Sequence, residues 1–452
     1  MDLLLLKLLF INVYVVTSFE HRFLTNWERL TNKVKELGGD SAEVNAEEKW
    51  IYQPVDHFDP NVNRTWPMKY FEDLSLWQSG GPIFLMIGGE GPGTPYRFGL
   101  IYELATETNA AVFFSEHRYY GKIMPDPTNL KYLSSIQAIY DLVNLLKFIK
   151  SDPRFYSSRV VAFGGSYSGN LAAWIRLLFP EVVDAAVSSS APVLAKQDFF
   201  EYLEVVGEVL YKYGSPQCYE TLSTRFASYK ELFKTAAGID QIKQMFNLCP
   251  QVDFTKKENI MFFFLRMTGF IMGLVQQSQE RVAIQNFCNS LSMAEIHSNQ
   301  CINVDFNYYI KYLSVTHSYM WIYQTCTEFG YFQTGNSGKQ PFGNVISVDM
   351  YLAICKGLFG PQFSEQTVDM AIAHTNKMYG GLSPNLSKVM FVNGNRDPWA
   401  ALGIKQSLSA AAPAVVIDDA SHCSDYYVQP HNADARMKWD LIKSIVKPWI
   451  SQ

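Results

Sequence analysis

The sequence predicts an α/β fold in which a parallel sheet, flanked by helices, is split by one long helical insertion. Three observations carry this expectation. Short, continuous apolar runs recur and end in glycine or serine, as strands buried on both faces do. Between them lie stretches whose apolar residues repeat every three or four positions, which is helical spacing. From Lys196 to Pro341 the strand-like runs disappear, and aromatic and charged residues recur at helical spacing instead.

Residues 1–18 come first, with an apolar run from Leu3 to Val16 broken by Lys7 and Asn12 and closed by Thr17 and Ser18. The run is too short to span a bilayer comfortably and fits a cleavable signal peptide, although Asp2 departs from the usual basic start. An uncleaved anchor or an ordinary first helix is the alternative. Residues 19–195 then hold Ile83–Gly89, Ala111–Ser115, Val160–Phe163 and Ala185–Val187 as strands, with Ile136–Ile149 and Leu171–Leu178 as helices. Strand, helix, strand implies parallel pairing. Residues 196–341 form the helical insertion between the two halves of the sheet domain. Its most apolar run, Ile260–Val275, carries Arg266, Thr268 and two glycines and reads as a buried helix, not a membrane span. Residues 342–452 return to the sheet with Val389–Asn393 and Ala414–Ile417 and close on an amphipathic helix from Ala433 to Ile450.

The composition sets limits on function. The chain is 48% hydrophobic, enough for a large core, and its 38 basic and 43 acidic side chains leave a net charge of −5 with no basic stripe. Disorder is excluded, and nucleic acid is not an expected partner. The seven cysteines lack close C-x-x-C pairs, so behind a signal peptide they are expected mostly in disulfides. Seven is odd, and Cys423 stands apart from the other six. Two sequons, at Asn63 and Asn385, are candidate glycosylation sites on exposed loops.

The most informative segment is Phe163-Gly164-Gly165-Ser166-Tyr167-Ser168-Gly169, which joins a strand directly to a helix. A nucleophilic serine on so sharp a turn needs small neighbours two residues before and after it. Gly164 meets the first requirement; Ser168 departs from the second, with Gly169 beside it. Ser168 itself is the weaker nucleophile candidate because residue 166 is not glycine. A serine hydroxyl needs a histidine base oriented by a carboxylate, and in an α/β-hydrolase sheet the chain order is Ser, Asp, His. Asp397 follows the strand at 389–393, and His422 follows the strand at 414–417, each where a loop can reach the turn. His431, the other histidine beyond Asp397, begins a helix. The backbone N–H of Tyr167 and that of Gly89 or Glu90 are the expected oxyanion donors, since Gly88-Gly89-Glu90-Gly91-Pro92-Gly93 leaves its strand with a nearly bare backbone. A phosphate loop would need a G-K-[ST] ending, which is missing.

These motifs resemble the prolyl carboxypeptidase and dipeptidyl peptidase II family of serine peptidases. The resemblance runs from about Trp50 to the C-terminus through Gln53-Pro-Val-Asp56-His57-Phe58, Gly88-Gly89-Glu90-Gly91, Glu116-His117-Arg118-Tyr-Tyr-Gly121, Gly164-Gly165-Ser166-Tyr167, Tyr323-Gln324-Thr-Cys326-Thr-Glu-Phe-Gly330, Asn393-Gly-Asn-Arg-Asp397-Pro-Trp399 and Ser421-His422. It implies an α/β-hydrolase fold with a helical lid, Ser166, Asp397 and His422 as the triad, and cleavage next to proline near one end of a peptide. It also implies the disulfides Cys326–Cys355, Cys218–Cys288 and Cys249–Cys301. Trp399, Glu90 and Gln324 are candidate substrate contacts, with Trp399 equally suited to a buried core. Glu116, His117 and Arg118 read as a buried ion network.

The expectation is therefore a secreted, endosomal or lysosomal serine exopeptidase that works through an acyl-enzyme, without metal or organic cofactor. Peptides are the expected partners; a homodimer is compatible with the sequence, and no membrane span is expected in the mature chain. An esterase or lipase on the same fold, and a catalytically silent binding protein, are the two alternatives. The end of the peptide that is cleaved is left open.

Overall fold

The computed structural model describes residues 44, 46–291, 301–316, 318–427 and 432–451. The expected signal peptide, residues 1–18, and His431 lie outside them. The described residues form two compact units. The sheet unit comprises the described chain up to Ala195 together with His374 onward, and the insertion unit is Lys196–Ala373.

The sheet unit holds eight strands, β1 (Glu47–Pro54), β2 (Thr65–Asp73), β3 (Ile83–Met86), β4 (Ala111–Ser115), β5 (Val160–Gly165), β6 (Ala185–Ser189), β9 (Val389–Gly394) and β10 (Ala414–Ile417). Their order in the sheet is β1-β2-β4-β3-β5-β6-β9-β10. The six strands from β4 to β10 are mutually parallel, as the apolar runs predict. The sheet as a whole is mixed, because β1 and β2 form an antiparallel hairpin whose second strand pairs antiparallel with β4. That hairpin lies before the first apolar run, where the sequence carries no strand signal of the same kind. Its strands alternate instead of running apolar: Trp66, Met68 and Tyr70 point inward while Trp50 and Tyr52 are exposed, as suits an edge with one wet face.

Helices α1 (Gly99–Thr108), α2 (Ser135–Lys150) and α3 (Tyr167–Leu178) follow strands β3, β4 and β5, and the last helix, α13, is Ala433–Ile450. Local chemistry starts and stops them. Ser134 caps α2 by accepting from the Gln137 N–H, and Lys147 and Lys150 sit in its last turn, where they complement the helix dipole. Asn432 caps α13 through the Ala435 N–H at 3.0 Å. Alternate strand residues Phe84, Met86, Val112, Phe114, Val161, Phe163, Val187, Met390 and Val392 share one buried cluster with Leu100, Ile101 and Leu104 of α1 and Trp439, Ile442 and Val446 of α13.

The insertion unit contains α4 (Glu201–Val209), α5 (Pro216–Leu232), α6 (Ala236–Met245), α7 (Lys257–Gln277), α8 (Arg281–Ser290), α9 (Phe306–Leu313), α10 (Ser318–Gln324), α11 (Val348–Phe359) and most of α12 (Glu365–Tyr379). It also has a two-stranded pair, β7 (Lys196–Asp198) with β8 (Gly330–Phe332). Phe226, Tyr229, Phe233, Phe246, Phe263 and Phe264 pack as tilted and edge-on rings with centroids 5.1 to 6.4 Å apart. Helix α7, which contains Ile260–Val275, is the one described helix long and apolar enough to cross a membrane, and 56% of its most apolar window is buried. Disulfides join Cys218 to Cys288, Cys249 to Cys301 and Cys326 to Cys355, the pairing that the resemblance implies, and Cys423 is a free thiol. The unit ends at Ala373, beyond the expected 341. The reason is α11: its Cys355 is bonded to Cys326, and its Tyr351 stacks on Phe332 at 5.0 Å. Helical text on both sides of residue 341 hid that boundary.

Candidate active site

Strand β5 delivers the backbone to Ser166, the residue preceding α3, which has φ 59° and ψ −132°. A non-glycine residue pays strain there, and it persists only when its surroundings hold it. The surroundings are tight. A Cβ on Gly164 would lie 1.9 Å from the Ser168 carbonyl oxygen, and one on Gly169 would lie 2.7 Å from that of Ser189. The Ser166 N–H donates to the Ser189 carbonyl at 2.9 Å, and the Ser166 carbonyl accepts from Gly169 N–H at 2.9 Å. The departure at Ser168 has a structural explanation. Its Oγ donates to the Gly165 carbonyl at 2.7 Å and accepts from the Gly165 N–H at 3.0 Å, so this hydroxyl is committed to the backbone of the turn.

Asp397 and His422 lie beyond the ends of β9 and β10, on the same edge of the sheet as the turn after β5. His422 Nδ1 faces both carboxylate oxygens of Asp397, at 3.0 and 2.9 Å, and both side chains are buried. Asp397 Oδ1 also accepts from Trp399 N–H at 2.9 Å, which fixes the carboxylate. A carboxylate can only accept here, so Nδ1 carries the proton and Nε2 is the basic nitrogen. Burial opposes a charge on the imidazole, but the Asp397 carboxylate, together with the Cys423 side chain hydrogen-bonded to the ring, outweighs it and holds His422 well above its ordinary value.

Two serines at the end of β6 tie the histidine loop to the turn. Ser190 Oγ accepts from Cys423 N–H at 2.9 Å, and Ser189 Oγ donates to Asp425, while the Ser189 carbonyl holds Ser166. The loop touches the turn directly as well, since a Cβ on Gly165 would meet Tyr426 at 2.9 Å and Cys423 Sγ at 3.0 Å. Ser189, Ser190 and Asp425 are functional candidates that the sequence reading missed. The available signal was Ser188-Ser189-Ser190, three polar residues closing an otherwise apolar buried strand.

A serine on a strained strand-to-helix turn, with a carboxylate-bound histidine docked beside it in the order Ser, Asp, His, is the arrangement of an acyl-transfer hydrolase. The family model for serine carboxypeptidase S28 matches residues 53–313 and 283–440. The chain belongs to this family.

Thymus-specific serine protease of Mus musculus is 32% identical over 420 residues, spanning 83% of this chain and 82% of that protein. Lysosomal Pro-X carboxypeptidase of Bos taurus is 27% identical over 448 residues, spanning 89% and 88%. Among solved structures, a hyperthermophilic esterase from Pyrobaculum calidifontis aligns over 100% of this chain and 99% of its own, with 10% identity and a TM-score of 0.41. As a serine carboxypeptidase S28 member, the chain is a serine-type exopeptidase and acts on peptides.

The remaining candidates of this S28 site separate clearly. Gly89 stands over the turn, where a Cβ would come within 3.7 Å of Ser168 Cβ. Glu90 is part-buried; burial pushes its carboxyl up to about 7, against its own N–H and the nearby charge of His422. Trp399 is buried with its ring 6.4 Å from that of His422. Gln324 is buried, and its amide donates to Glu328 at 3.1 Å. Asn63 and Asn385 are both exposed on loops.

Proposed function

We propose that this S28 peptidase cleaves peptides next to proline, with Ser166 as nucleophile, His422 as general base and acid, and Asp397 as the carboxylate that holds the imidazole. The observation that carries the reading is the Asp397–His422 pair, tied through Ser189 and Ser190 to the strained turn that bears Ser166. Ser166 Oγ attacks the scissile carbonyl as His422 Nε2 takes its proton; His422 then returns the proton to the leaving nitrogen, and water releases the acyl group by the same steps. Tyr167 N–H and Gly89 N–H are the oxyanion donors. Glu90 N–H is the poorer choice of the two alternatives because it faces its own carboxylate. Trp399 supplies an apolar wall beside His422 for a flat proline ring.

Glu90 selects the end of the peptide. At the pH of an acidic compartment its carboxyl is mostly neutral and donates a hydrogen bond, which suits a terminal carboxylate and not an ammonium group. A relative named Pro-X carboxypeptidase supports the same choice. The three disulfides support an oxidising, secretory-route location.

Labelling with a fluorophosphonate probe tests the reading. Wild-type protein should label, Ser166→Ala should not, and Ser168→Gly should still label. A folded wild type that stays unlabelled at both pH 5 and pH 7 would return the weight to a silent binding protein.

A further inference from the structure

The motif Glu116-His117-Arg118 has no part in the chemistry described above, yet it touches both arms of the oxyanion site. On one side, a Cβ on Gly88 would meet the Ser115 carbonyl oxygen at 2.3 Å and His117 N at 3.2 Å, and Gly88 N–H donates to Ser115 Oγ at 3.2 Å. Further along the same loop, Gly93 N–H donates to Glu116 Oε2 at 3.0 Å. On the other side, His117 Nε2 lies 3.0 Å from the hydroxyl of Tyr167, the residue whose N–H follows the nucleophile.

We propose that His117 is a positioning residue that sets the spacing of the oxyanion donors, by accepting a hydrogen bond from the Tyr167 hydroxyl while its own backbone supports the Gly88-Gly89 loop. This rests on Ser166 being the nucleophile. The tautomer follows from the partners. His117 Nδ1 is 2.7 Å from the Arg118 carbonyl oxygen, which can only accept, so Nδ1 carries the hydrogen and Nε2 accepts from Tyr167. Burial, reinforced by the Arg118 charge, pushes His117 down to about 4, so it stays neutral through the working range.

The support is itself anchored. The Arg118 guanidinium meets both oxygens of Asp141 at 2.7 and 2.8 Å and the carbonyls of Val55 and Tyr132 at 3.1 and 2.9 Å. His57 Nε2 meets the same carboxylate at 2.7 Å, and the Tyr120 ring closes the His117 pocket edge-on at 5.1 Å. A rigid strut from α2 to α3 through His117 places two amides where charge develops, and such preorganised donors matter more in the transition state than in the bound substrate.

The test uses His117→Phe, His117→Gln, Tyr167→Phe and the Phe,Phe double variant in the full-length protein, assayed on a proline-containing peptide. His117→Phe and Tyr167→Phe should each lower kcat by about 10- to 100-fold, less than outright loss of one donor, with KM within about two-fold. The double variant should be no worse than either single one, because both remove the same bond. Affinity for a peptide aldehyde, which needs the oxyanion donors, should fall in step with kcat while affinity for the cleaved product stays. Gln, whose amide oxygen can accept from Tyr167, should recover most of the rate. If His117→Phe fails to fold, Tyr167→Phe alone carries the test. Unchanged kcat in a folded Tyr167→Phe, or product affinity falling as far as aldehyde affinity, would overturn the inference while wild type still labels at Ser166. A wild type that does not label would overturn the function reading, and this inference with it.

Discussion

Asp425 offers a measurement in which the histidine loop reports on its own electrostatics. It is buried, its Oδ1 accepts from Ser189 Oγ, and its Oδ2 has no hydrogen-bond partner among the described residues. Burial pushes its carboxyl up to about 6, against the Ser189 bond and the charge of His422. The folded state therefore holds a proton that the unfolded chain gives up near pH 4. Between about pH 4 and pH 6 the folded state binds more protons, so stability falls as pH rises through this window and the deficit persists above it. Two pH units at about 1.4 kcal/mol each set the size at about 3 kcal/mol. Asp425→Asn keeps the shape and an acceptor for Ser189 but cannot ionise. Relative to wild type, it should gain about 3 kcal/mol between pH 4 and pH 7, read as a melting-temperature difference at fixed scan rate that widens by several degrees. Removing a negative charge near His422 should also lower the imidazole pKa, so the acid limb of kcat/KM should move to lower pH. A variant curve parallel to wild type from pH 4 to pH 7 would refute the reasoning, because it would mean that Asp425 is ionised throughout.

Three further outcomes follow from other parts of the site. Gly164→Ala, whose methyl would sit 1.9 Å from a backbone oxygen, should abolish fluorophosphonate labelling of whatever protein folds; labelling at the wild-type rate would mean that the turn tolerates a Cβ. Arg118→Met removes the buried cation that neutralises Asp141 and should cost about 3 to 5 kcal/mol at pH 7 by denaturant titration. Asp141 is buried, which disfavours its charge, but Arg118 and His57 hold it below the usual carboxylate range; without Arg118 burial raises it, so the loss should shrink as the pH is lowered and Asp141 protonates in the variant. Glu90→Gln mimics the neutral acid: carboxypeptidase activity at pH 5 should be largely kept, and the decline of wild-type activity above pH 7 should flatten. Loss of activity at pH 5 would instead assign the ionised carboxylate a role.

The legible parts of this chain are those where chemistry or sterics leave few choices within a short window. A strand that is buried on both faces is largely apolar, so β3, β4, β5, β6 and β9 stand out in the sequence, and the edge strand β10, with Val415 and Ile417 buried, is a short apolar run as well. The β1–β2 hairpin has one wet face, and its alternating residues carry no comparable contrast. The turn at Ser166 is readable for a steric reason, since only glycine can stand at 164. His422 and Asp397 are readable because one chain order and two strand ends admit few candidates. Gln324 sits in a specific motif, but nothing in its local sequence announces that its side chain is buried.

What holds the readable residues in place is written elsewhere in the chain, in residues that look ordinary. Ser189 and Asp425 are 236 positions apart, and each is a common polar residue in its own neighbourhood. Only the sheet brings them together, by setting β6 between β5, which leads to Ser166, and β9, which leads to Asp397. The strained backbone at Ser166 then has three independent supports: the Ser189 carbonyl on its N–H, the Gly165 backbone clasped by Ser168, and the Cys423 and Tyr426 contacts over Gly165. A local motif can announce strain, but long-range contacts must hold it. That division explains why the second glycine of the turn could be replaced here. The Ser168 hydroxyl bonds the backbone of the turn, so the departure from the pattern adds a support to the strained residue 166.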